Sequence, residues 1–478
     1  MATGCKSEAR STHASQEHAE DGPASEQKRC LAMEHVVTSA SSPLVSITLA
    51  QAQMQVFPGG LTMKNIRLLA RLLSAFAVAV LVLYASANAQ TFQVLHAFAA
   101  PPTDGFPSGA FLLDSQGHLF FASDAGGENT DCSGYGCGAV FELSKGYGHW
   151  KESTLYAFSP FNGNSPTPAG PLIMDTSGNI YGTQSHGGDP SCDCGAVYQL
   201  TQSAGVWSQN LLYSFTGGVN DGMYPASGLV RDSAGNLYGS TSNGGLNNNG
   251  TIFELSPNAD GTWSYSIIHN FSYGVNGSSD GSEPYGPLTM DSLGNLYGTT
   301  LQGGLWSYGT AFRLSFSSGT STEAILFNFT LDYSFAPNPV GVVPDAAGNL
   351  YGTTQSGGAY GLGTIYKLTP AIGFWNRTIL HTFTGSGDGA NPLGGLAIDA
   401  TGALYGASIQ GGSFGYGNVY KFSHVSGRWN QTLLHEFTNG TDGREPVLGL
   451  VLDWKGNVYG LANGGGAYGN GVAFEIMP

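Results

Sequence analysis

The stretch DAAGNLYGTTQSGGAYGLGTIYKL, Asp345 to Leu368, sets an Asp and a Gly three positions apart, then LYGTT, then a Gly-Gly pair, then an apolar run. An Asp at the first corner of a turn accepts backbone N–H bonds. A Gly at the fourth supplies positive φ, so DxxG reads as a tight hairpin turn. The turn joins an apolar run that ends at the Asp to a second strand carrying LYGTT. The Gly-Gly loop then leads to a third strand, and a fourth runs from a Trp to a Leu-x-x-Phe ending. Apolar residues on both sides of such short strands imply sheets covered on both faces.

The same unit recurs at Asp114, Asp175, Asp232, Asp291, Asp345, Asp399 and Asp453, at spacings of 61, 57, 59, 54, 54 and 54 residues. Every copy has Gly three positions after its Asp, from Gly117 to Gly456, and a Gly-Gly pair at positions twelve and thirteen, from Gly126-Gly127 to Gly465-Gly466. A four-stranded repeat of this length is a propeller blade. A linear array would need polar capping units, and none is evident. The seventh unit stops at Pro478 after three strands, while a spare fourth strand, Phe92 to Phe98, precedes the first unit. The expected fold is therefore all-β, a seven-bladed propeller over residues 90–478, closed by strand 92–98 completing the last blade and hiding its edge.

Over residues 92–478 the repeat resembles the GloVer-type tandem repeat of secreted bacterial proteins, most completely at Asp345–Leu368. Unit one departs most, with His118-Leu119-Phe120-Phe121 where other copies read Asn-Leu-Tyr-Gly. The resemblance implies export and a propeller-like fold, and brings no catalytic residues with it.

Composition narrows the function classes. Of 478 residues, 72 are Gly and 22 Pro, and only 10% are charged, yet 41% are hydrophobic and 12% aromatic, which excludes a chain too poor in apolar residues to fold. A net charge of −16 excludes a nucleic-acid partner, since nothing here neutralises a run of phosphates. Residues 1–62 lack apolar periodicity and read as a disordered or untranslated extension. Met63 begins a basic start with Lys64, Arg67 and Arg71, followed by the apolar run Leu72–Ala85 and the small-residue site Ala87-Asn88-Ala89. That order reads as a signal peptide over 63–89 and a secreted, periplasmic or cell-surface protein; the run is too short for a membrane span, and none is expected in the mature chain. Residues 90–478 carry ten Lys/Arg against twenty-seven Asp/Glu, hence −17.

If the DxxG turns form one rim, the Gly-Gly loops and the linkers between blades form the other, where binding residues concentrate. Asp104, Asp221, Asp280, Asp388 and Asp442 each precede a Gly in those linkers. They can attract a cation or bond sugar hydroxyls, or simply make the turn. Exposed aromatics there, with Tyr135, Trp306, Tyr308 and Tyr360 as candidates, would favour a binder. The Gly-Gly loops of units one and two are longer than the rest and carry Cys132 with Cys137 and Cys192 with Cys194, the only cysteines of residues 90–478. An even count in an exported chain points to disulfides. Three pairings are open, and the short ring that Cys192–Cys194 would close favours links between blades. The spacing matches no zinc pattern, so neither metal nor cofactor is expected. His96, His269, His381 and His435 share the second position of Leu-x-x-Phe with Tyr156, Tyr213 and Phe327, which reads as a packing position.

The leading functional reading is a ligand-binding or interaction module at or beyond the cell envelope, with a glycan or an envelope protein as partner. An extracellular lyase or hydrolase using rim carboxylates is the competing class, and a structural surface protein the third.

Overall fold

The computed structural model describes residues 90–477, apart from 102, 128–131, 133, 134, 147, 161–165, 226, 275–278, 318 and 335. The expected extension over 1–62 and signal peptide over 63–89 lie outside the described residues. Every regular element described is a β-strand, and the strands form seven antiparallel sheets. No helix among the described residues is long and apolar enough to cross a membrane. Blade five shows the plan: Pro339–Pro344, Leu350–Thr354, Thr364–Ala371 and Phe374–Thr382 pair in sequence order, and the first strand lies nearest the axis.

The ring closes between the two ends of the domain. Thr91–Ala97 pairs antiparallel with Val472–Met477, with Phe92 opposite Ile476 and Val94 opposite Phe474. This covers the edge of Val472–Met477 and gives the seventh blade the same four-stranded plan as the others. The core lies between the blades. One apolar cluster joins Leu95, Tyr459 and Leu461 of blade seven to Phe111, Phe121 and Phe141 of blade one, and six others bridge the remaining neighbours.

Each repeated residue has a physical job. The turn Asp accepts two backbone N–H groups on Oδ1, as Asp345 does from Ala347 and Asn349. Its Oδ2 takes the Asn349 side chain and the Tyr351 hydroxyl. The Phe that ends each fourth strand is fully buried, and its N–H donates to the carbonyl of the Gly opening the third strand, as Phe383 does to Gly363 at 3.1 Å. The Gly of LYGTT leaves room for the third-strand aromatic: a β-carbon on Gly352 would sit 2.5 Å from the Tyr366 hydroxyl. Blade one solves the same problem differently. Phe121 replaces that Gly and stacks on Phe141 with centroids 5.2 Å apart, and the hydrophobic cluster is rebuilt around the pair.

The first strands are less regular than their apolar runs suggest. Blade three has two pieces, Gly222–Pro225 and Val230–Arg231, where one run ending at Arg231 is expected. In blades four and seven the first strands reach Gly281–Met290 and Arg444–Leu452, with register shifts after Tyr285 and Val447. Gly286 and Gly449, at φ 82° and 91°, are the residues in these irregular stretches that bend the strand near the axis. The axial cavity, about 200 Å³, takes lining residues from all seven blades, among them Pro171, Pro287, Leu393 and Leu450, and no ionisable side chain but Tyr285.

Candidate binding rim

Two kinds of loop build the rim opposite the tight turns: the Gly-Gly loops, and the linkers that carry the chain from one blade to the next. Each linker aspartate pins the start of its own linker. Asp221 accepts from the Thr216 N–H at 2.7 Å and its hydroxyl at 2.8 Å, and Asp442 accepts from Thr438 at 2.9 and 2.6 Å. Asp388 holds Thr384 the same way, Asp280 holds Ser272, and Asp104 holds Ala99. Asp104, Asp221 and Asp280 are buried, at 6%, 4% and 6% exposure.

The four histidines expected only to pack do more than that. Each ring lies edge-on to the Phe two residues later. Each also sets Nε2 against a linker aspartate: His96 to Asp104, His381 to Asp388 and His435 to Asp442 at 3.1 Å, and His269 to Asp280 at 3.3 Å. The expectation treated the His and Asp positions separately, because the contact crosses a loop. Their joint occurrence in four linkers is the sequence signal for it.

The next blade supplies a third side chain, six residues before its own buried Phe. At two junctions this is a glutamate. Glu152 Oε2 lies 3.2 Å from His96 Nε2, and Glu323 Oε1 lies 3.9 Å from His269 Nε2. Elsewhere Gln431 donates to the Asp388 carbonyl, Tyr265 stacks on Tyr213, and Phe92 stacks on His435. Arg377 pairs with Asp332, a linker aspartate that no following Gly marks in the sequence. Burial, first, and the neighbouring aspartate push Glu152 and Glu323 up to about 7, against the pull of the histidine.

Exposed aromatic rings recur at one register position of the Gly-Gly loops, three residues before the Gly that opens the third strand. Tyr135 (65% exposed), Trp306 (58%), Tyr360 (60%), Phe414 (56%) and Tyr468 (67%) occupy it in five blades. Phe414 and Tyr468 are absent from the expected set, although counting back from that glycine finds them. Tyr308 is half-buried and packs against the core between blades four and five.

The cysteines pair within their own loops, Cys132 with Cys137 and Cys192 with Cys194, and not between blades. Both loops fold back on themselves. Tyr135 N–H donates to the Cys132 carbonyl, and Asp193, at φ 55°, brings the Cα atoms of its neighbours to 5.2 Å. Cys137 and Cys194 are buried against the cores that flank blade two.

A second concavity, about 470 Å³, lies on the opposite face where blades seven and one meet; Lys145, Trp150, Trp454, Lys455 and Glu475 line it.

A family model described as the Gloeobacter/Verrucomicrobia repeat matches residues 130–338 and 315–478. No curated protein matches the chain. Among solved structures, one described as an oxidoreductase (glucose dehydrogenase) from Thermus thermophilus aligns at 12% identity and a TM-score of 0.41, over 81% of this chain and 100% of that one. The polysaccharide lyase Uly1 aligns at 10% identity and a TM-score of 0.48, over 82% and 93%. The two family matches together span residues 130–478, and the chain belongs to the Gloeobacter/Verrucomicrobia repeat family.

Proposed function

We propose that the protein is an exported binding module whose Gly-Gly rim takes a glycan on its ring of aromatic side chains. The observation that carries this reading is the recurrence of an exposed aromatic at one register position in five blades. Exposed Tyr and Trp offer a flat apolar face with a polar edge, which suits the C–H face and hydroxyls of a sugar. Their place in loops carried by a rigid scaffold is where binding residues concentrate. In this reading Asp104, Asp221, Asp280, Asp388 and Asp442 hold the linkers that frame the surface. Two disulfides support a compartment outside the cytoplasm.

A lyase or hydrolase has one observation in its favour. Glu152 and Glu323, raised to about 7, are carboxyls poised to exchange a proton near neutral pH.

The test is a glycan array followed by titration of the best polysaccharide against the protein and a W306A/Y360A/F414A variant. Binding should weaken more than tenfold in the variant while its thermal unfolding stays within about 2 °C, because the three rings pack little. Equal binding by both proteins would remove the aromatic rim as the site. New reducing ends on the bound glycan would put the enzyme reading in its place.

A further inference from the structure

Among the described residues two groups bring three metal-ligating side chains together, His96–Asp104–Glu152 and His269–Asp280–Glu323, with their donor atoms within 4.8 Å of one another. Both occupy the same three register positions, at opposite parts of the ring: the junction of blades seven and one, and that of blades three and four. We propose that each group is a binding site for one divalent transition-metal ion of the zinc or manganese class.

Four observations carry the proposal. The first is an orphaned donor. One imidazole nitrogen brings one proton to two carboxylates, and the aspartate takes it. Glu152 Oε2 and Glu323 Oε1 then lie buried with no N–H to accept, facing the aspartate carboxylate, a crowding of acidic oxygens that a cation relieves. The second is spacing. Ligands about 2.0–2.2 Å from one ion stand roughly 3.0–3.5 Å apart. His96 Nε2 lies 3.1 Å from Asp104 and 3.2 Å from Glu152. His269 Nε2 lies 3.3 Å from Asp280 and 3.9 Å from Glu323, so the second site needs a small side-chain adjustment and should be the weaker.

The third is charge. Two carboxylates beside a neutral imidazole carry −2, which a divalent ion neutralises in a partly buried place where unpaired charge is costly. One imidazole and two carboxylates form a mixed nitrogen–oxygen set suited to zinc or manganese. The fourth is the contrast with other junctions. His381–Asp388 meets Gln431 and His435–Asp442 meets Phe92, so the same scaffold lacks its third acidic donor there. At a tight turn His118 Nδ1 also lies 3.3 Å from Asp114 and 3.2 Å from Glu142, but its three donor atoms do not all come within 4.8 Å of one another, and the imidazole is more exposed.

Metal content measures the sites directly. Tag-free full chain, stripped with a chelator, is dialysed against ZnCl2 or MnCl2 at pH 7.5, and the retained metal is counted. Two ions per chain are expected, one in E152Q, one in E323Q and none in the double variant. Q431E should add a third ion by completing the His381–Asp388 junction. X-ray absorption of the loaded wild type should show a nitrogen–oxygen shell with one imidazole per ion, a readout that needs no variant to fold. Failure of the wild type to retain either metal at about 100 µM, a shell with other ligands, or retention undiminished in a folded E152Q/E323Q double variant would overturn the proposal. Glycan binding can fail its own test without changing any of these counts.

Discussion

His269 and His381 hold the same place two residues before a buried Phe, and each sets Nε2 against a linker aspartate, yet they are held on opposite sides of the ordinary histidine value. Burial lowers both. At His269 the Asp280 hydrogen bond and the charge of Glu323 outweigh it and raise the pKa; at His381 burial wins over Asp388 and the pKa falls. His96 follows the first pattern with Glu152, and His435 the second. The difference is one carboxylate from the neighbouring blade. Linkage fixes the sign for stability. His96 and His269 contribute stability that is complete below the unfolded value near 6.5 and lost as pH rises through their higher folded values. His381 and His435 contribute above 6.5 and lose it as pH falls toward their lower folded values. Glu152 and Glu323 contribute below about 4.5 and lose it as pH rises through about 7. Proton NMR titration of the imidazoles in metal-free protein should find His96 and His269 above about 6.5 and His381 and His435 below it. E323Q should move His269 downward. Four midpoints on one side of 6.5 would contradict this account.

At the scale of the blade, the second and third strands lock through a ring lying over a glycine. Gly352→Ala should drive a β-carbon into the fully buried Tyr366 and cost about 2 kcal/mol in urea unfolding, within the usual range for overpacking. An unchanged midpoint would mean the ring has room to move. The blade was legible in the sequence because its determinants are local: Asp345, Gly348 and Asn349 meet within one turn. The junctions were not. His269 finds Glu323 54 residues later on another blade, and a repeat pattern that shows Tyr, Phe and His at one position invites a packing explanation. The cysteine pairing was hidden for a related reason. Only the local backbone, with Asp193 at positive φ, shows that a disulfide can close across a single intervening residue. The aromatic rim was half legible, since Tyr135, Trp306 and Tyr360 stand out in the sequence but their shared register with Phe414 and Tyr468 appears only when each loop is counted back from its last glycine.

At the scale of the molecule, seven wedges share cores with their neighbours, so no blade buries its apolar faces alone. The innermost strands meet through glycine and backbone: a β-carbon on Gly170 would lie 2.3 Å from Gly228 N. That close approach leaves an apolar axial cavity and moves the polar chemistry outward, to the linkers and the rim. The arrangement holds only if the ring is closed, and closure rests on one strand. Phe92 packs on Phe474 and His435, and Leu95 and Phe98 enter the core shared with blade one. The most direct measurement is thermal unfolding of the protein with and without residues 91–97, and of the shortened protein with a synthetic peptide of that segment added. Closure predicts a fall of more than about 10 °C on deletion, since two inter-blade cores open, and recovery toward the full-length value with the peptide. An unfolding temperature unaffected by the deletion would contradict a ring sealed by its own N-terminal strand.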